Sequence, residues 1–371
     1  MRNVCSPRRL TGPLRLLFIP GIAILLVGGC PQQPTDPDSP DTADNSTLAT
    51  ASVLRFDANE TIRFEGEIST TADIDVYRLG KLSRGDRIYA DVRAIAARLD
   101  LVAAVFDVDE NVHIFNDDRA ADASDLNPLI DFVVRGRNGD FFLGVQALTG
   151  TTGTGRYEVE VRITRGVGVP DPTPQIVFLE WRGGSGLTVP NVGVFNLPPF
   201  DATQVGLSSS QTAALKQRVA AIVKDRYAGF NLLVQNSDDH ATPSGPHSTI
   251  FFGSNSSTAF AISEQIDSFN ADPSDNAIVF TGAFRDAFAA SRPNFEELAQ
   301  GIGNTTAHEV GHLLGLVHTR NCNELMDTTC GNARILQPQN FGAAPLDDSV
   351  FGFGVQDAAE LLTWILGLAG G

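Results

Sequence analysis

Three of the six histidines fall within eleven residues, in His308-Glu309-Val310-Gly311-His312-Leu313-Leu314-Gly315-Leu316-Val317-His318. On a helix, positions i and i+4 stand one turn apart on the same face, so His308 and His312 can point at one ion. Imidazole nitrogens bind zinc at about 2.0–2.1 Å, and three protein ligands leave a fourth position open for water, as in a catalytic site. An unbroken helix would carry His318 about 240° around the axis from His312 and point it away. A glycine at 315 can adopt the left-handed conformation, stop the helix and let the chain turn back. Glu309 sits beside a ligand and coordinates nothing. It is expected to accept a proton from zinc-bound water and deliver it to a leaving amine, while the ion draws the water's pKa from 15.7 towards about 7 and polarises the carbonyl under attack.

The elements that must carry these residues are legible around them. Asn294 and Glu297 have the spacing of a capping box, which predicts a helix over about 295–314. Ser208 and Gln211 repeat that spacing ahead of a helix with Leu215, Val219, Ile222 and Val223 on one stripe and Gly229 as terminator. Strand-like runs occupy 176–181, 231–235, 249–252 and 277–281, and a last helix near 355–366 places Ala358, Leu361, Leu362 and Ile365 on one face. Residues 175–371 therefore read as an α/β or α+β unit, a small sheet against two or three helices.

The preceding region has a different period. In 156–163, Tyr157, Val159, Val161 and Ile163 alternate with Arg156, Glu158, Glu160 and Arg162. Phe141, Leu143, Val145 and Ala147 do the same, and less regular runs lie at 74–79, 88–92 and 101–106. Period-two alternation with Gly- and Asp-rich punctuation predicts an all-β sandwich over 51–166. The Pro-rich joint 167–174 is expected to link the two domains. Residues 30–50 hold four prolines and four aspartates and can bury no core, so they are expected to form a disordered tether.

The full chain has 371 residues, 42% hydrophobic and 19% charged, with a net charge of −17. It is too apolar to be disordered and long enough for more than one domain. Its acidity excludes a nucleic-acid partner, which would need clustered Lys and Arg. At the start, Arg2, Arg8, Arg9 and Arg15 precede an uncharged run over 16–29, shorter than the roughly 20 residues a spanning helix needs. A basic segment, an apolar core and small residues in that order read as an export signal over 1–29. Its removal takes four arginines and no acid, lowering the net charge to −21. Leu26-Val27-Gly28-Gly29-Cys30 resembles the bacterial lipobox, which implies lipidation of Cys30 and a place at the cell envelope; a plain secretion signal and an uncleaved anchor are the alternatives. Outside the cytosol, Cys322 and Cys330 can form a disulfide, with free thiols or metal ligands as the other readings.

From His308 to His318 the chain resembles the HExxHxxGxxH consensus of the metzincin zinc peptidases. The resemblance covers about 175–371 and implies one catalytic Zn²⁺ on His308, His312 and His318, with Glu309 as general base. It also implies a methionine turn beneath the metal, and Met326, in Glu324-Leu325-Met326-Asp327, is the only methionine besides Met1. Two departures matter. No Tyr occurs after Tyr227, unlike the astacin-like and serralysin-like members, and no cysteine lies between Cys30 and Cys322 to serve as a latency switch. Residues 51–166 resemble the bacterial pre-peptidase C-terminal domain, through Asp73-Ile74-Asp75-Val76-Tyr77, Asn116-Asp117-Asp118 and Gly155-Arg156-Tyr157. That resemblance implies a jelly-roll-like accessory module, here upstream of the catalytic unit. Its aspartates could hold Ca²⁺, or be solvated turn residues. The expected partners are protein or peptide substrates, with the membrane engaged only through Cys30 and the chain acting as a monomer. A surface binding or adhesion lipoprotein with a non-catalytic peptidase fold is the alternative function.

Overall fold

The computed structural model describes residues 41, 45–96, 98–120, 124–190, 192–254 and 259–370. The export signal, Cys30 and most of the tether lie outside them.

Two sheets face each other across one core in the first half. One has the strand order Ser52–Val53, Ile74–Leu82, Gly139–Ala147, Leu101–Asp107, Val112–Asn116. The other runs Thr61–Ile68, Gly155–Thr164, Arg87–Ala94, Leu129–Val133. In Gly155–Thr164, Tyr157, Val159, Val161 and Ile163 are buried while Glu158 and Arg162 are exposed, as the alternation demands. Thr61–Ile68 alternates too, with Gly66 standing in its inner row. A Cβ there would lie 2.5 Å from the Tyr157 hydroxyl and 2.7 Å from that of Tyr77, so the glycine makes room for their buried hydrogen bond.

The second half holds a five-stranded sheet in the order Leu232–Asn236, Gln175–Glu180, Ser248–Gly253, Asn276–Phe280, Ala261–Ser263. The first four strands are parallel and the edge strand Ala261–Ser263 is antiparallel. Parallel neighbours need a crossover, and the helix Thr212–Arg226 supplies one, with the Ser208–Gln211 capping box ahead of it. Its Leu215, Val219, Ile222 and Val223 share a core with Ala307 and Val310 of the long helix Phe295–His312. The final helix is Ala358–Leu366; the three residues before it, Val355–Asp357, pair as a short strand with Ala343–Pro345. The hairpin of Gly184–Val189 with Gly193–Leu197 and the helix Thr281–Ala287 carry no periodicity long enough to predict them.

The two halves belong to one compact unit. The strand Leu101–Asp107 explains the contact. Leu101, Ala103 and Val105 fill the sandwich core, while Val102, Ala104 and Phe106 face the other way and pack against Val317, Leu346, Val350 and Phe351. A strand buried on both faces loses its alternation, which is why this run reads as irregular.

Candidate metal centre

The helix Phe295–His312 starts at a closed capping box: the Asn294 carboxamide oxygen accepts from Glu297 N–H at 3.1 Å, and the Glu297 carboxylate accepts from Asn294 N–H at 2.8 Å. Its last helical residue is His312, two short of the expected end. Gly315 N–H donates to His312 O at 2.9 Å and Leu316 N–H to Gly311 O at 2.8 Å, the bond pair of a Schellman motif. Gly315 has φ +92°, and a Cβ there would meet Asp267 O at 2.8 Å and Phe269 N at 3.0 Å. Both its conformation and its surroundings require glycine.

The turn brings His318 back to the helix. Ligand nitrogens of His308, His312 and His318 all lie within 4.8 Å of one another, and Nε2 of His312 is 3.0 Å from Nε2 of His318. His308 Nδ1 is 2.9 Å from Leu325 O, and His312 Nδ1 is 2.8 Å from Leu316 O. A carbonyl can only accept, so each Nδ1 carries the proton and each Nε2 keeps its lone pair for a cation. Burial pushes the His308 pKa down to about 3 and holds His312 and His318 below the usual imidazole range as well. Neutral imidazoles whose nitrogens converge, two of them with a free Nε2 lone pair, fit a divalent metal of borderline softness.

Glu309 is buried, which pushes its carboxyl up to about 8 against a hydrogen bond from Ser263 on the edge strand. It lines, with His308 and His318, a 250 Å³ cleft whose other walls include Phe260, Asn304, Thr305 and Ile335. Met326 is fully buried, and Gly311 admits it: a Cβ on that helical residue would stand 2.7 Å from the Met326 sulfur. Cys322 and Cys330 form a disulfide that closes the loop around Met326.

Glu324 had no role assigned from the sequence. Its buried carboxylate accepts from Met326 N–H at 2.6 Å and from the Thr319 hydroxyl at 2.7 Å, tying the residue after His318 to the methionine turn. Nothing in the sequence pattern distinguishes a buried Glu from a surface one here. The remaining histidines stay away from the site. His240 is exposed, His247 Nδ1 donates to Gly245 O, and Asp238 pairs with Lys216. His113 is buried in its strand and stacks on Trp364 with ring centroids 5.1 Å apart. The sandwich aspartates form no cation cluster among the described residues. Asp75 accepts from the Tyr157 hydroxyl, Asp73 accepts from Ser69 at 2.6 Å, and Asp117 accepts from Asp118 N–H.

The sequence matches no protein-family model and no curated protein. Among solved structures, several proteins are similar to parts of the chain. The pre-peptidase C-terminal domain of collagenase from Bacillus anthracis is 16% identical, with a TM-score of 0.23, over 31% of this chain and 96% of that one. A zinc-dependent peptidase from Methanocorpusculum labreanum is 12% identical, with a TM-score of 0.26, over 44% of this chain and 93% of that one. Archaemetzincin from Methanopyrus kandleri is 12% identical, with a TM-score of 0.26, over 46% and 89%. At these values they remain distant likenesses, and the chemistry has to be argued from the side chains.

Proposed function

We propose that the chain is a zinc-dependent endopeptidase of the metzincin type, exported and lipid-anchored through Cys30 at a bacterial cell envelope. One observation carries the reading: His308, His312 and His318 converge while Leu325 O and Leu316 O take the Nδ1 protons of the first two, and Glu309 lines the cleft beside them. Zinc held by the three imidazoles would polarise a peptide carbonyl and activate water. Glu309, near neutrality in its pKa, would take a proton from that water and hand it to the leaving amine. The cleft orients the peptide, and Met326 with the Cys322–Cys330 loop supports the floor.

Purified protein should contain about one zinc per chain and cleave a denatured protein, with activity lost on chelation. Glu309→Ala should retain zinc and lose roughly 10²–10⁴-fold in kcat/KM. Undiminished proteolysis in zinc-loaded Glu309→Ala contradicts the mechanism, and zinc without any hydrolysis favours a binding protein. For the anchor, a tagged fatty acid should label wild type and not Cys30→Ala; label on the variant rules out Cys30 as the lipidated residue.

A further inference from the structure

The third histidine is held from the side of the sandwich. Val317, its neighbour, is 1% exposed and packs with Val102, Ala104, Phe106, Val112 and Phe115, all on the outer face of one sandwich sheet. Both backbone groups of Val317 bond the buried Gln356 side chain, at 2.8 and 2.9 Å. Val355, next to it, donates its N–H to Glu110 O of the sandwich at 2.9 Å.

The glycine turn is gripped from the same direction. The loop that crowds Gly315 also anchors itself in the sandwich: Ser268 Oγ donates to Phe115 O at 2.8 Å, and the Phe269 ring lies 5.5 Å from that of Phe132 and under the Arg135 guanidinium. Asp267 N–H donates to His312 O at 2.9 Å, so the loop touches a second ligand's backbone. Phe269 and Asn270 have φ +61° and +53°, a left-handed pair without glycine, which persists only where packing over-determines it.

We propose that the β-sandwich is a component of the metal centre, setting the position of His318 through Val317 and through the 267–270 loop, with Phe269 as a positioning residue. The sandwich then serves the peptidase half as a wall and not as a detachable module. This rests on the three histidines binding zinc, as proposed above.

In the full chain, Phe269→Ala should weaken zinc binding about tenfold or more, read by competition with a chromogenic chelator, while far-UV circular dichroism stays unchanged. Phe269→Tyr, which keeps the ring, should recover most of the affinity. Tyr89→Ala, on the other sandwich sheet, should lower stability without moving zinc affinity. A purely structural Phe269 would lower Tm and leave the affinity of the folded protein alone, and that result overturns the proposal, as does equal weakening by Tyr89→Ala. Should Phe269→Ala not fold, Ser268→Ala, which removes only the bond to Phe115 O, decides by the same measurement: unchanged affinity refutes the proposal and a several-fold loss supports it. Absence of zinc binding in wild type is a separate result that removes the metal-centre reading and this inference with it.

Discussion

Nε2 of His312 and Nε2 of His318 lie 3.0 Å apart, although six residues of unbroken helix would set the two side chains on different faces. Only the reversal at Gly315 makes that approach.

Gly315→Ala is therefore expected to damage the site and the fold together. Its φ of +92° disfavours any Cβ, and the nearest atoms at 2.8–3.0 Å belong to the backbone of 267–269, which cannot swing aside. The substitution should destabilise by more than about 1 kcal/mol and lower zinc affinity at least tenfold. Thermal unfolding and chelator competition on one sample measure both; wild-type affinity would show that His318 reaches the metal without the turn.

The Cys322–Cys330 bridge closes a short loop around Met326. Removing it as Cys322→Ser with Cys330→Ser should cost about 2.5 kcal/mol, from the chain entropy of a loop that short. The double variant should unfold at lower urea, and the reduced wild type should match it. Equal midpoints in oxidised and reduced protein would show that Met326 is held by packing and by Glu324 alone.

Acid should strengthen one part of the sandwich. Burial, reinforced by the Asp41 carboxylate, holds Asp75 up at about 8. Between its unfolded value near 3.9 and about 8, the folded state carries the extra proton, so the contribution of this group falls as pH rises through that window. Asp75→Asn offers the Tyr157 hydroxyl an oxygen with no charge to bury. It should be more stable than wild type at pH 8 by about 1 kcal/mol or more, and near parity at pH 4. Urea midpoints at both values test this; an advantage larger in acid than in base has the wrong sign.

Much of the local geometry of the candidate site was legible in the sequence. The helical spacing of His308 and His312, the stop at Gly315 and the Asn294–Glu297 cap are local properties, and local properties survive in any fold that keeps the helix. The sandwich strand Gly155–Thr164 was equally readable, since one wet face preserves the alternation. Leu101–Asp107 looked irregular because its second face is covered by Val317 and Phe351.

What the amino-acid order determined by itself was the three candidate ligands, their spacing and the secondary structure that presents two of them. Tertiary structure alone decided which carbonyls fix the imidazole tautomers, that Glu324 joins Thr319 to Met326, and that the sandwich touches the segment bearing His318. The sandwich contact links residues far apart in the chain, and even the near-neighbour bonds of His312 and Glu324 depend on loop backbone that no period or motif specifies. They form only once the chain is packed and each buried polar group must find its partner.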